Sequence, residues 1–416
     1  MPPAPGRPRR FPGPALAFAV AWLALCTTTV WLVRNDRLDA VATLGIPTMQ
    51  PRFVDVRVIT GAAVALAEGL DPLQENPGDP LHRPLNYPRV WLLPARLGLG
   101  PDDSEALALT FLALFAAGVL SLTRLATSWP RALVLTALSW SPVTWLAMER
   151  ANTDLVVFAS LAAAAALWRR RPAWATAVVG LGTVLKLYPV FAATALLGVP
   201  RRAARRLGGA LLFGVAVYGA TIWRDLSAIR ANSAVWNRIS YGITQLPDAV
   251  ATNTGLPRLP LLVGAASLLV AAAAAASQAR RHVHLPAAPT PALHAFRSGA
   301  AVVVGTFCIG SNFDYRLLAL LLVAPQVVAW CGAARGIARL ASGVLLGAIT
   351  LLTWSLWWRR GVDALCGATT PGLVLDELLT WLVVLLLLAG LVVAQDRAKA
   401  TGAAIAPHRV QEPRRP

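Results

Sequence analysis

The chain has 416 residues, of which 56% are hydrophobic and 14% charged, with a mean hydropathy of +0.57 and a formal net charge of +18. An ordinary soluble domain, with about a quarter of its residues charged, is excluded by this composition. A nucleic-acid surface is excluded too, because the arginines fall in short clusters between apolar runs. What remains is an all-α polytopic integral membrane protein whose charge follows membrane topology.

Residues 1–14 form a proline-rich basic tail, and the apolar run after it, about 15–33, continues through Trp31 and Val33. It is too long for a signal-peptide core and reads as an uncleaved first span. Arg7, Arg9 and Arg10 place the amino terminus in the cytoplasm. Residues 34–103 then lie outside, where Asp55 to Leu70 and Tyr87 to Leu99 read as amphipathic helices on the membrane face. Spans at about 104–124 and 132–148 lead to an outer polar cluster of Glu149, Arg150, Asn152 and Asp154. A fourth span returns to the cytoplasmic triplet Arg169 to Arg171.

The next run, Ala173 to Val199, has basic clusters on both flanks, which cannot both be cytoplasmic after a single crossing. Two short helical pieces turning at Lys186 to Pro189 resolve the conflict, since proline interrupts a helix and irregular backbone survives at membrane depth where it lines a cavity. Further spans at about 207–223, 259–277, 298–311, 316–333, 337–356 and 373–394 complete a membrane domain over 15–394 of about twelve segments, with 395–416 as a cytoplasmic tail. The alanine run 271–276 suggests close helix packing. Trp357 and Trp358 with Arg359 and Arg360 fit an interfacial belt. Cys26, Cys308, Cys331 and Cys366 lack metal-ligand spacing and read as packing residues, and His282 and His284 fall in a cytoplasmic loop without further ligands.

This topology puts Asp55, the 149–154 cluster, Lys186 and the Asn312 to Arg316 turn on one outer face. Lys186 stands out because only it and Lys399 are lysines in an arginine-rich chain, and an ionisable group in an apolar run usually meets a cavity or a partner. Sugar transfer from a lipid phosphate to a hydroxyl needs such a face. The phosphate is a good leaving group that wants nearby positive charge, and the acceptor hydroxyl wants one general base. Asp55 is the candidate base, Lys186 and Arg316 are candidate phosphate partners, and Tyr87, Tyr188 and Tyr315 could stack on or hydrogen-bond with a sugar. Each has a structural alternative: Asp55 as a helix N-terminal carboxylate, Lys186 snorkelling to the interface, Asn152 and Asp154 capping span four, Asp314 and Arg316 as an ion pair closing a turn.

At Val54-Asp55, Gly61 to Ala63, Glu68 to Pro72, Asn86 to Pro88, Asn152 to Asp154, Lys186 to Pro189 and Asn312 to Arg316, the sequence resembles the glycosyltransferase family 87 mannosyltransferases. These are membrane enzymes of the GT-C superfamily that use polyprenyl phosphate mannose. The resemblance implies a GT-C-like fold, Asp55 as catalytic base, Lys186 and Arg316 on the donor phosphate, and Tyr87, Asn152, Asp154, Tyr188, Asp314 and Tyr315 around the substrate. It implies inverting transfer of mannose, α-linked in the product, to a glycan or glycolipid on the extracytoplasmic face of the cell membrane. The sequence departs from the family at Arg57 to Thr60, where aromatic residues are usual, and at Arg89. No cofactor is called for beyond the polyprenyl phosphate sugar as donor substrate, and a divalent metal is neither required nor excluded by the sequence. Two rivals use the same features: a lipid or sugar transporter or flippase, and a non-catalytic polyprenyl-lipid-binding subunit of an envelope assembly complex. The long external segment with Asp55 and the lack of a visible inverted repeat speak against the transporter.

Overall fold

The computed structural model describes residues 13–233, 239–283, 285, 290–367 and 370–394. His284, most of the amino-terminal tail and the 395–416 tail lie outside the described residues. Among the described residues, seven helices are long and apolar enough to cross a membrane: Gly13–Arg34, Pro101–Leu125, Arg258–Ala279, Pro291–Ile309, Asp314–Ala333, Gly336–Thr353 and Pro371–Val393. Two bent pairs, Pro142–Arg150 with Asp154–Leu167 and Arg201–Ile222 with Leu226–Asn232, bring the number to nine if each pair is one span.

This count does not confirm the predicted twelve, and the runs that fall short of a full span have local causes. The run expected at 132–148 is two short helices, Trp129–Ser139 and Pro142–Arg150, because Pro142 opens a new helix after Ser141, whose hydroxyl accepts from the Thr144 amide. The run from 173 to 199 is the α-helix Pro172–Leu185 of 14 residues and the 3-10 helix Tyr188–Gly198 of 11. A helix of either length falls short of the roughly 20 residues needed to span the hydrocarbon core.

Pro291–Ile309 is the central helix. Nearly all of it is buried, against Asp314–Ala333, Tyr188–Gly198 and Pro371–Val393. At the opposite extreme, Arg258–Ala279 buries only Leu269 and Ala276, and it packs along one side against Pro371–Val393, with Ala276 of the alanine run buried. The rest of this all-round apolar helix is uncovered by protein and suited to lipid. Two cysteines also depart from the expectation: Cys26 and Cys331 pack against the core, but Cys308 and Cys366 are exposed. The Trp357 to Arg360 stretch is only partly an interfacial belt, for Trp357 is exposed while Arg359 is buried and pairs with Asp376 at 2.6 Å.

The segment outside the first span is packed under protein rather than laid flat. Its helix Val54–Ala67 buries Val54, Val56, Val58, Ile59, Thr60, Gly61, Ala62 and Ala65, more than one face. The second expected helix is only a 3-10 turn, Arg89–Leu92, preceded by Pro88, and the single turn Leu93–Arg96, with Pro94 at its start. Trp91 ties this stretch down by donating its indole N–H to the Leu185 carbonyl at 2.9 Å. Arg89, the departure noted in the sequence, bridges Asp71 at 2.8 Å and Asp225 at 2.9 Å.

Two glycines bring the 76–83 loop against Val54–Ala67. A Cβ on Gly61 would lie 2.5 Å from the Asp79 amide nitrogen, and one on Gly78 would lie 2.4 Å from the Gly61 carbonyl oxygen. Both contacts are with backbone, which cannot swing aside. Gly61→Ala is therefore expected to destabilise the protein by about 1–3 kcal/mol, the usual cost of overpacking. A lowered midpoint of thermal unfolding in lipid nanodiscs would register the loss, and an unchanged midpoint would show that the loop is free to move away.

Candidate active site

Three interruptions of helix supply the site. At the first, Ala151 adopts a left-handed conformation with φ of 46° and ends Pro142–Arg150. The next helix, Asp154–Leu167, leaves at 119° to it. Asn152 and Asp154 sit at this apex, where Asn152 Oδ1 accepts from the Asp154 amide at 2.9 Å. The second is the break before Pro189, where Lys186 is in extended backbone at the end of Pro172–Leu185. The third is a two-residue ladder in which Ser240–Tyr241 pairs antiparallel with Asn312–Phe313, followed by the 3-10 turn Asp314–Ala319.

The start of the Asp55 helix is fixed on the first of these. Glu149 Oε1 accepts from the Met49 amide at 2.9 Å, and the Phe53 amide donates to the Glu149 carbonyl at 3.3 Å. Arg150 donates to the Pro47 carbonyl at 2.6 Å and pairs with Glu149 at 2.8 Å. Phe53 itself is left-handed, with φ of 59°, which turns the chain into the helix with Asp55 in its first turn. Carboxylates in this position are favoured by the helix dipole.

Both Asp55 oxygens are engaged. Oδ2 accepts from Asn152 Nδ2 at 2.6 Å, and Oδ1 faces Arg83 Nη1 at 3.3 Å. The Asn152 amide thus links two functional groups, for its Oδ1 accepts from Lys186 Nζ at 3.2 Å. Lys186 pairs with Asp154 Oδ1 at 2.8 Å, and the same oxygen accepts from the Tyr188 hydroxyl at 2.5 Å. Asp154 Oδ2 faces Arg316 Nε at 3.8 Å. Aromatic faces enclose the cations: Lys186 Nζ lies 5.2 Å from the Tyr87 ring centre and 5.8 Å from that of Tyr315, and the Arg316 guanidinium lies 5.1 Å from that of Tyr188. Arg316 is further held by a hydrogen bond to Asn312 Oδ1.

Tyr87 OH is 3.4 Å from Asn152 Nδ2. Burial, with the charges of Asp55 and Asp154, pushes its phenol well above the ordinary tyrosine value, so it remains a neutral hydroxyl. For Arg83, burial works against the charge, but the hydrogen bonds to Asp79 and the charges of Asp55 and Asp79 outweigh it and raise its pKa.

Of the residues singled out in the sequence, Asp55, Tyr87, Asn152, Asp154, Lys186, Tyr188, Tyr315 and Arg316 thus form one connected network. Asp314 does not join it. Its charged neighbours are Asp376, Glu377 and Arg359; among the described residues the alternative of an Asp314–Arg316 ion pair is not formed either, and Arg316 faces Asp154 instead. Asn152 combines the capping and site readings, because one oxygen serves the helix start and the Lys186 ammonium together. Sequence reasoning missed Arg83 and Asp79, which lie in a loop marked only by proline and glycine. It also missed Tyr241, whose hydroxyl shares a 2.7 Å bond with Thr306 and whose strand holds the 312–316 turn in place.

Among the described residues, no group of three or more His, Cys, Asp or Glu side chains is arranged to hold a metal ion. The space between Asp154, Tyr188, Tyr315 and Arg316 is about 10 Å³, room for a single water. A larger apolar groove of about 380 Å³ runs between Pro172–Leu185 and Arg201–Ile222, with Gly180 and Gly214 in its walls and Tyr218 at the end nearest Lys186. There the Tyr218 hydroxyl donates to the Val184 carbonyl at 2.7 Å.

A base candidate, a cationic pair and tyrosines on a membrane-embedded frame are the parts that glycosyl transfer from a lipid phosphate calls for. No curated protein matches the chain. Among solved structures it is similar to ArnT from Cupriavidus metallidurans in the apo state, with a TM-score of 0.37 and 14% sequence identity over 94% of this chain and 80% of that one. The match to a family covers residues 95–311, which takes in Asn152, Asp154, Lys186 and Tyr188 but leaves Asp55, Arg83, Tyr87 and Arg316 outside. That stretch is more than half of the chain, and the family is glycosyltransferase family 87, to which this multi-pass membrane protein belongs.

Proposed function

We propose that this glycosyltransferase moves mannose from polyprenyl phosphate mannose to a hydroxyl of a glycan or glycolipid, on the extracytoplasmic face of the cell membrane, with both termini cytoplasmic. The observation that carries the reading is the continuous link Asp55–Asn152–Lys186–Asp154–Arg316, which sets a carboxylate on one side and two cations on the other.

In the reaction, the acceptor hydroxyl gives its proton to Asp55 as its oxygen forms a bond to the anomeric carbon. The bond from that carbon to the phosphate oxygen breaks on the opposite side, and the electron pair leaves with the polyprenyl phosphate. Lys186 and Arg316 meet the charge that develops there, Lys186 as a compact ammonium and Arg316 as a planar fork. A single displacement inverts the anomeric centre, giving α-mannose from a β-linked donor. Asp154 is the anion that Lys186 holds in the absence of the donor phosphate, and Tyr87, Tyr188 and Tyr315 are placed to contact the sugar. With so little open space at Asp154, donor entry requires the Lys186 and Arg316 side chains to shift.

The groove ending near Lys186 supports a place for the prenyl chain. Gly214 has open space where a Cβ would stand, so Gly214→Trp introduces bulk into the groove from its wall. The expected result is a donor KM raised about tenfold, equivalent to 1.4 kcal/mol, with kcat changed little. An unchanged KM would place the prenyl chain elsewhere.

The function itself is tested with the purified chain in lipid nanodiscs, synthetic polyprenyl phosphate mannose and a native lipid extract, with products read by mass spectrometry. The expected outcome is a lipid or glycan heavier by one hexose and one polyprenyl phosphate released per transfer. Transfer only from a donor with another sugar would overturn the mannose assignment. Movement of intact donor across the membrane without cleavage would identify a flippase.

A further inference from the structure

The loop that crosses Val54–Ala67 at Gly61 delivers an arginine under Asp55, and the way this arginine is held is informative. Asp79 is fully buried and collects four donors: the amides of Leu81 and Arg83 on Oδ2 at 3.2 and 2.9 Å, Arg83 Nε on Oδ2 at 3.0 Å and Arg83 Nη2 on Oδ1 at 3.0 Å. Arg83 Nη2 also donates to the Val54 carbonyl at 2.6 Å, one residue before Asp55. The loop is pinned independently by Asn76, whose Nδ2 donates to the Val58 carbonyl at 2.9 Å. Of the three guanidinium nitrogens, two are thus committed to fixed partners behind the site, and Nη1 alone reaches forward, to Asp55 Oδ1 at 3.3 Å.

A planar guanidinium held in this way is a rigid bracket. It cannot turn to a phosphate without giving up the buried Asp79 carboxylate, which sets it apart from Lys186 and Arg316. Its forward contact is long for a charge-assisted bond, so an acceptor hydroxyl can approach Asp55 without first breaking a tight pair. Together with Asn152 on Oδ2, the contact fixes the plane of the Asp55 carboxylate from two sides.

We propose that Arg83 is a positioning residue for the transfer step: braced by Asp79 and the Val54 carbonyl, it orients the Asp55 carboxylate towards the acceptor hydroxyl and takes no part in holding the donor. The proposal rests on Asp55 being the base. Correct orientation of a reacting group governs turnover more than binding.

The test compares Arg83→Gln, Arg83→Lys and the double variant Arg83→Gln/Asp79→Asn with Asp55→Asn, in nanodiscs, measuring kcat, donor KM and the unfolding midpoint. Arg83→Gln leaves Asp79 buried without its cation and is expected to unfold earlier. The double variant removes both charges and is expected to regain most of the stability. In both, kcat is expected to fall about 100-fold with donor KM within about threefold, the pattern of an interaction used only in the transition state. Arg83→Lys keeps the charge but not the fork, and a loss of about tenfold in kcat is expected. A stable double variant with wild-type kcat would reduce Arg83 to a structural ion pair and overturn the proposal. A rise in donor KM with kcat intact would make it a phosphate ligand, overturning it too. Full activity of Asp55→Asn would instead remove the base itself, a failure of the underlying reading that the Arg83 variants do not produce.

Discussion

Asp55→Asn is expected to lower kcat for transfer by about 1,000-fold or more, within the range ascribed to loss of a general base. The substitution is nearly isosteric and leaves a carbonyl oxygen for Asn152 Nδ2, while Arg83 keeps its bonds to Asp79 and the Val54 carbonyl. The fold should therefore survive, with the unfolding midpoint within a few degrees of wild type, because only the 3.3 Å contact to Arg83 is compromised. What is lost is the ability to accept a proton. Donor binding, which involves the other end of the network, should persist, so titration with labelled donor separates the step that fails from the one that does not. Transfer by Asp55→Asn at the wild-type rate would remove this residue from the mechanism.

Loss of Lys186 has a different signature, because it strikes both stability and donor use. Lys186→Met leaves the Asp154 carboxylate, 1% exposed, with the Tyr188 hydroxyl and an Arg316 guanidinium at 3.8 Å as its remaining partners. Removing one member of a buried pair costs about 3 kcal/mol or more, since the other charge stays behind without compensation. The double variant Lys186→Met/Asp154→Asn takes both charges away and is expected to recover most of that loss. It should not recover transfer, because no ammonium is left for the leaving phosphate. Denaturation midpoints and transfer rates for the wild type and the two variants decide the point: activity in the double variant would make Lys186 a partner of Asp154 and nothing more.

What could be read from the sequence divides along physical lines. Lys186 was legible because a lysine in an arginine-rich, apolar run is a choice composition does not explain, and the proline three residues later announced the break. The first span and the last six apolar runs were legible from hydropathy alone, to within a few residues at most ends. Asp314 was misplaced for a geometric reason. A 3-10 turn advances about 120° per residue, so Asp314 and Arg316, both polar and two apart, point in different directions. The alanine run showed where one side of Arg258–Ala279 meets Pro371–Val393, but not that the rest of that helix is left uncovered. Arg83 was beyond reach, since its partner at position 79 is explained only by a glycine contact between a loop and a helix that no local pattern records.

The partners of Asp55 differ in how late they are synthesised. Arg83 and Asp79 follow it closely in the chain, whereas Asn152, Lys186 and Arg316 come from three later interruptions of helix. During synthesis from the amino terminus, the bracket around the carboxylate can close while most of the membrane domain is still unmade. The Arg316 end of the network is supplied last, from the turn that the ladder between Ser240–Tyr241 and Asn312–Phe313 holds. A chain that ends before Asn152 therefore holds the Asp55 carboxylate from the Arg83 side alone.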